Sequence, residues 1–375
     1  MPEPFKNFFN PRMIRQMGDH LAASDSSFQR DRFVRQATRG LGPLELKQRS
    51  DHILRALEVT LPDDYRHACQ VMLGALHPEY DLALSTDGMD DAGIRSWAIM
   101  PMADYVARHG LEDFDFSMGV LRELTRRFSS EFAVRHFILA DTPRALRHIQ
   151  GWADDPCQHV RRLASEGTRP RLPWGIQLAM FVDDPAPLLP ILEALKSDPE
   201  EYVRRSVANN LNDIAKDHPD TVAAIAKRWM AGASDERKRL VRHACRTLVK
   251  QGHQGALEAL GYRRPKVTLQ SIDLRTPVVT LGGRLEFAIS LRSEARRTQP
   301  LIIDFVIHHL KANGTTSPKV FKWKNIELAA GAELELSKAH AIKKITTRVY
   351  YPGRHRLEIQ INGERCGEVG FDLEI

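Results

Sequence analysis

A short phrase, Asp-Pro-x-x-x-Val-Arg-Arg, opens at Asp155 and again at Asp198, and a looser copy, DERKRLVRHACRTLVKQG, begins at Asp235. Val160 and Val203 stand 43 residues apart, and Val203 and Val241 stand 38 apart. Repeats at this period, each starting a helix, imply a stacked array of helix pairs, because a single pair cannot bury its apolar face alone. The spacing predicts pairs at 143–153 with 157–166, 185–197 with 199–216, and 219–230 with 234–251. Between the first two pairs lies GTRPRLPW (167–174). Its two prolines bar a helix, so it is expected to project from the array as a basic loop with an aromatic tip.

The residues before the repeats read as helices too. Asn10-Pro11 starts one, with Met13, Ile14, Met17 and Leu21 at helical spacing. Others are expected over 28–39, after Gly42-Pro43, from Pro62, and over 93–109 and 112–127, with a loop at 77–91. The Leu, Met and Phe stripes here read as core. At Tyr262 the period changes. Leu285, Phe287, Ile289 and Leu291 alternate with polar or small residues, as do Leu357, Ile359 and Ile361. Asn362-Gly363, Asn313-Gly314 and Gly282-Gly283 mark turns. About seven short strands are expected, enough for an immunoglobulin-like sandwich without a Cys…Trp…Cys framework. The expected architecture is therefore multidomain: a helical-repeat solenoid over 1–262, then a β-sandwich over 263–375.

Composition narrows the function classes. No apolar run approaches the length of a membrane span, and the N-terminal MPEPFKNFFNPRMIRQ lacks the pattern of a secretory signal. The four cysteines are far apart with no CxxC pair, which disfavours structural zinc and a disulfide framework and suits a reducing cytosol. Net charge is +6. From Lys266 onward 17 Lys and Arg face 12 Asp and Glu, so most of the surplus lies in the sandwich. A nucleic-acid surface on the nearly balanced helical region must then be a local cluster.

Such a cluster is visible. On the helix at 199–216, Val203, Val207, Leu211 and Ile214 form the apolar stripe, and Arg205, Asn209, Asn212, Asp213 and Lys216 fall on the opposite side. Arg162 and Glu166 occupy the same side of the helix at 157–166, and His243, Thr247 and Lys250 that of the third copy. This is the column a phosphate-tracking surface would show. Bland roles are open for each: a solvated face, inter-repeat ion pairs for Arg161, Arg204 and Arg242, an i,i+4 pair for Glu131 with Arg135, a bridge to Arg162 for Glu166, a core cap for Trp174. What favours function is concentration. Carboxylates among arginines and a Pro-flanked Trp suit cleavage of an N-glycosidic bond. Carboxylates stabilise the sugar's developing positive charge and orient water, and a leaving base already cationic through alkylation needs no general acid.

At these residues the chain resembles the AlkC-type DNA glycosylases of bacterial alkylation repair, relatives of the AlkD group among the HEAT-like-repeat glycosylases. The strings that carry the resemblance are FKNFFNPRMI, RFSSEFAVRHF, VRRLASEGTRPRLPW, VRRSVANNLNDIAKDHP, RHACRTLVKQG and YYPGRHRLEIQINGE. The resemblance spans essentially the whole chain. It implies a HEAT-like array followed by an immunoglobulin-like domain that clamps the duplex. It implies excision of 3-methyladenine and 3-methylcytosine from double-stranded DNA without base flipping and without metal or organic cofactor. By motif match, Glu166 and Asp213 would stabilise the sugar cation and position water, with Glu131 assisting. Trp174 would contact the lesion nucleotide, and Arg162, Arg169, Arg171, Arg205, Asn209, Asn210, Lys216, His243 and Lys250 would hold DNA. A monomer suffices to bind one duplex, and the setting implied is the cytoplasm, on the nucleoid when bound to DNA. The competing expectation is a non-catalytic helical-repeat scaffold or a lesion-binding DNA protein. The acidic trio separates the two, since carboxylates facing phosphates weaken a pure binder.

Overall fold

The computed structural model describes residues 4–80 and 89–375. Residues 81–88, within the stretch expected to be a loop, lie outside the described residues. The chain divides into two compact units, Met1–Asp217 and His218–Ile375.

The described residues of the first unit form α1 (Pro11–Ser24), α2 (Arg30–Thr38), α3 (Leu46–Glu58), α4 (Tyr65–Gly74), α5 (Ile99–His109), α6 (Phe114–Thr125), α7 (Val134–Ala140), α8 (Thr142–Trp152), α9 (Gln158–Glu166), α10 (Ala179–Asp183), α11 (Leu189–Leu195) and α12 (Glu201–Ile214). Helix α1 starts where its sequence says. The Asn10 side chain accepts from Arg12 N and Met13 N, and Pro11 takes the first turn, where its missing N–H costs nothing. The expected stripe Met13, Ile14, Met17 and Leu21 is buried. Helix α7 and the short α10 were not expected.

The repeated phrase has a local explanation. In each copy the Asp folds back on its own turn: Asp155 Oδ1 accepts from Cys157 N at 2.8 Å, and Asp198 Oδ1 from Glu200 N at 2.9 Å. The first Arg of each copy closes the loop. Arg161 Nη1 donates to the carbonyls of Asp155 and Pro156, and Arg204 Nη1 to those of Asp198 and Pro199. Each Asp also receives an arginine from the preceding repeat, Arg122 on Asp155 and Arg161 on Asp198, both at 2.6 Å. Arg161 and Arg204 are thus structural, as their positions suggest. Arg242 of the third copy is instead exposed.

The second unit opens with α13 (Pro219–Met230), α14 (Asp235–Ala244), α15 (Arg246–Gln251) and α16 (Gln254–Ala259). The single helix expected over 234–251 breaks at Cys245, so His243 and Lys250 do not share one continuous helical column. Eight strands follow: β1 (Val267–Leu274), β2 (Val278–Thr280), β3 (Arg284–Ser293), β4 (Gln299–Leu310), β5 (Thr316–Leu328), β6 (Glu333–Ala341), β7 (Gly353–Ile361) and β8 (Glu364–Glu374). They form a three-stranded sheet, β1-β3-β6, and a five-stranded sheet, β2-β8-β7-β4-β5. All pairs are antiparallel except β2 with β8. The alternating residues Leu285, Phe287, Ile289 and Leu291 of β3 pack against Ile303, Phe305 and Ile307 of β4 and Leu357, Ile359 and Ile361 of β7 in one core. This is the immunoglobulin-like sandwich, with one strand more than expected.

The Asn362-Gly363 hairpin does more than turn the chain. Both residues have positive φ, 46° and 79°. Asn362 Oδ1 accepts from Ile302 N at 2.7 Å, and its Nδ2 donates to the carbonyls of Arg263 and Pro300. A Cβ on Gly252, the left-handed cap of α15, would lie 2.6 Å from Gly363 O. Helix cap and hairpin meet backbone to backbone, which only glycine permits. Asn362→Ala leaves the buried Ile302 N–H without its acceptor and two partly buried carbonyls without their donor, so it should lower unfolding stability by about 1–3 kcal/mol. Asn362→Gly should recover only the backbone contribution. Urea unfolding of the full chain with both variants checks this.

Candidate active site

Glu131 lies in the turn before α7, Arg162 and Glu166 on the last turns of α9, Arg169 in the insertion, and Asp213 near the end of α12. They form one chain of alternating charge. Arg162 Nη1 meets Glu131 Oε2 at 2.5 Å and its Nη2 lies 3.5 Å from Glu166 Oε1. Arg169 Nη1 meets the same Glu166 oxygen at 2.7 Å, and its Nε meets Asp213 Oδ2 at 2.9 Å. Lys216 closes the far end on Asp213 Oδ1 at 2.9 Å. Ser206 donates to Glu166 Oε2 at 2.6 Å, and Ser129 to Glu131 Oε2 at 2.9 Å. Glu131 Oε1 receives no hydrogen bond from the described residues.

The electrostatics follow from burial against pairing. Burial alone would raise the Glu166 pKa, but Arg162 and Arg169, aided by the Ser206 hydroxyl, outweigh it and hold the carboxyl below the usual glutamate range. Burial opposes the charge of Arg162 and of Arg169 as well, and their carboxylate neighbours carry both above the usual arginine value. Tyr202, whose ring lies 5.0 Å from the Arg162 guanidinium carbon, is pushed up to about 12 by burial.

The insertion is set by Arg135, a fully buried guanidinium. It does not pair with Glu131. Its Nη1 donates to the carbonyls of Gly167 and Arg169, and its Nε to Ile176 O at 2.6 Å. Burial and the nearby Arg169 charge push it down to about 10. So held, the loop exposes Trp174, which has φ 63° and is 63% accessible. Trp174 projects rather than capping a core, and Lys47 Nζ donates to its carbonyl.

Glu131, Glu166, Arg162, Arg169, Tyr202 and Trp174 all line one cavity of about 440 Å³. Its other walls are mostly apolar, with Phe5, Phe8, Trp97, Phe128 and Phe132. Asp213, only 2% accessible, is not among the lining residues and sits behind Arg169. The helix carrying it is buried on most of its circumference: Ser206 and Asn210 lie on the side of the apolar stripe, and Asp213 is buried at the edge of the polar side, where Arg205 and Lys216 stay exposed.

The residues expected to hold DNA separate accordingly. Arg162 and Arg169 are engaged with carboxylates. Asn210 is fully buried, with its Nδ2 on Ser165 O and Thr168 Oγ1, so it holds the start of the insertion and has no edge free for a phosphate. Arg171 is paired with Asp217 by two contacts near 3 Å. Arg205 and Lys216 are exposed and Asn209 half-buried. Half-buried His243 and exposed Lys250 belong to the second unit. Ser129, Tyr202 and Ser206 escaped the sequence reading, as did the aromatic walls, and Arg135 was expected only as an ion-pair partner of Glu131. The core reading holds for Phe9, Phe28 and Phe33, but Phe5 is 54% accessible. Phe5, Phe8 and Phe9 stand at i, i+3 and i+4, the spacing of one buried helix face, so FKNFF carries no signal of exposure.

Comparison with known proteins agrees with this ground plan. The family described as DNA alkylation repair enzyme matches residues 107–248, and the C-terminal Ig-like domain of the uncharacterised protein YhaZ matches residues 268–375. Uncharacterized protein YhaZ of Bacillus subtilis (strain 168) is 35% identical over 370 residues, covering 98% of this chain and 99% of that protein. The structure of Pseudomonas fluorescens alkylpurine DNA glycosylase AlkC, bound to DNA containing an abasic site analog, matches at a TM-score of 0.87 and 35% identity, covering 100% of both chains. The fold is that of a helical-repeat DNA alkylation repair enzyme with an appended Ig-like domain. Within that class, the chain belongs to the AlkC family.

The Ser206 contact generates a test. Because the folded pKa of Glu166 is depressed, its contribution to stability is present above the unfolded value of about 4.3 and is lost as pH falls through the folded value. Ser206→Ala removes one of the groups that favour the ionised form. The acid-unfolding midpoint, followed by circular dichroism, should therefore move to higher pH. An unmoved midpoint would show that Glu166 does not depend on this hydroxyl.

Proposed function

We propose that this protein is a monofunctional DNA N-glycosylase that hydrolyses the N-glycosidic bond of cationic N3-methylated bases, 3-methyladenine and 3-methylcytosine, in duplex DNA. The observation that carries this reading is the cavity lined by both Glu131 and Glu166, with the guanidiniums of Arg162 and Arg169 paired to them. The C1′–N bond breaks with its electron pair going to the base, which neutralises the lesion's positive charge and releases it as a free base. The sugar becomes oxocarbenium-like. Water adds to C1′ and gives up a proton to a carboxylate or to solvent, leaving an abasic site.

In this reading Glu131, with Oε1 free of protein hydrogen bonds among the described residues, approaches the sugar cation and the water. Glu166, with both oxygens occupied, sets the local negative potential and orients Arg162. Asp213 acts through Arg169. The carboxylates need reach only C1′, so the lesion can stay in the duplex, with Trp174 packed against its nucleotide. Arg205, Lys216 and Arg171 supply cations to flanking phosphates, and the Ig-like domain with its positive surplus adds a second grip on the DNA. The chemistry calls on no metal or organic cofactor, because the leaving group is already activated.

Release of free base from methylated duplex DNA is the direct test. Glu131→Gln should lower single-turnover excision by about 10²–10³-fold, the scale for losing one group that stabilises transition-state charge. Glu166→Gln should lower it similarly. Asp213→Asn should cost less, because a glutamate still holds Arg169. All three should bind undamaged duplex as tightly as the parent or tighter, since a negative charge facing DNA is removed. No release above the spontaneous background, with DNA bound, would leave the non-catalytic lesion-binding reading.

A further inference from the structure

We infer that the aromatic side of the cavity is a stacking subsite for a nucleobase of the DNA that leaves the helical stack beside the lesion. This rests on the DNA glycosylase reading but concerns a different region of the site. The carboxylate side answers to a sugar cation. Much of the remaining wall is made of rings. Phe8 stacks on Trp97 with centroids 5.4 Å apart and planes 7° from parallel. Phe5 and Phe128 lie tilted against Trp97, with centroids at 5.7 Å and 5.1 Å. Four aromatic rings in mutual contact normally belong to a sealed core. Here they line a cavity, with Phe5 more than half exposed.

The platform is also built rather than frayed. Arg49, 8% accessible, donates to Lys6 O at 2.9 Å and Phe9 O at 2.8 Å, and further to Leu44 O and Gly42 O at 2.9 Å each. Lys6 pairs with Glu45 at 2.6 Å. A buried guanidinium bonded to four carbonyls fixes the short segment that presents Phe5 and Phe8. Fixed, partly exposed ring faces are what sequence-tolerant capture of a planar base requires, since every base has a π-face. Phe8 and Trp97 also line an adjoining cavity of about 320 Å³ that contains the exposed Arg12, a cation for the backbone of the same nucleotide. The lesion base itself is not the occupant. Its positive charge belongs with Glu131 and Glu166, and after release it is no longer tethered to the DNA.

The test uses the full chain and a duplex containing an abasic-site analogue, with 5-iododeoxyuridine placed opposite the analogue, next to it, or far from it. Irradiation should cross-link the opposite or adjacent positions, not the distant one, to the peptides containing Phe5 and Phe8 or Trp97. Phe5→Ala, at an exposed position, should weaken binding of the analogue duplex by about 5- to 150-fold, the range expected for loss of one stacked base, and leave undamaged duplex unaffected. Phe8→Leu, which keeps an apolar side chain, should act in the same direction. Cross-links absent from these peptides, together with unchanged affinity in both variants, would overturn the subsite. If methylated DNA is still excised in that case, the glycosylase reading stands without it. Cross-links to the rings in a protein that excises nothing would leave the subsite in place and remove the glycosylase reading.

Discussion

Three carboxylates within one small region repel one another unless cations stand between them, and here Arg162 and Arg169 do so. The order Glu131–Arg162–Glu166–Arg169–Asp213 is the constraint on which the site depends. Each guanidinium spans two acids drawn from different elements, so the charge chain also staples the turn before α7, helix α9, the insertion and helix α12. Removing either guanidinium would take a cation from two acids at once, a costly change where the partners are buried. Packing and negative potential are therefore one feature rather than two.

The insertion is the price of that arrangement. Arg169 can bridge Glu166 and Asp213 only if residues 167–176 run back over α9 and α12, and nothing in their own sequence makes them do so. Arg135 reaches up from α7 and takes three of their carbonyls. A charged group bonded only to neutral carbonyls is unusual in a core. It is tolerable here because the acids nearby offset its charge through space. The same bonds hold the backbone that presents Trp174.

Much of this was legible in the chain. The Asp-Pro-x-x-x-Val-Arg-Arg phrase reported repeats because both of its polar anchors are local: Asp155 and Asp198 cap their own turns, and Arg161 and Arg204 bond carbonyls within their own phrase. The alternation in β3 and the Asn-Gly hairpin were readable for the same reason. What escaped were contacts set by distant segments. A helical wheel places Asp213 with the polar residues Arg205 and Lys216, and it cannot see that neighbouring chain buries Asp213 while those two stay exposed. Arg169 looks like a phosphate ligand until its two acidic partners, one of them 44 residues away, are in place. The aromatic wall was hidden because a Phe-rich segment reads as core in any one-dimensional pattern, whether or not the core has room.

The backbone contact between Gly252 and Gly363 bears on how such a chain is inherited. The change of pattern at Tyr262 marks a seam between helical and β sequence, and a recombination event cutting there would look conservative. It would nevertheless separate a pair of glycines whose surfaces have meaning only together. The compact unit begins earlier, at His218. A chain rejoined at the visible seam would have to remake a contact that no side chain can substitute.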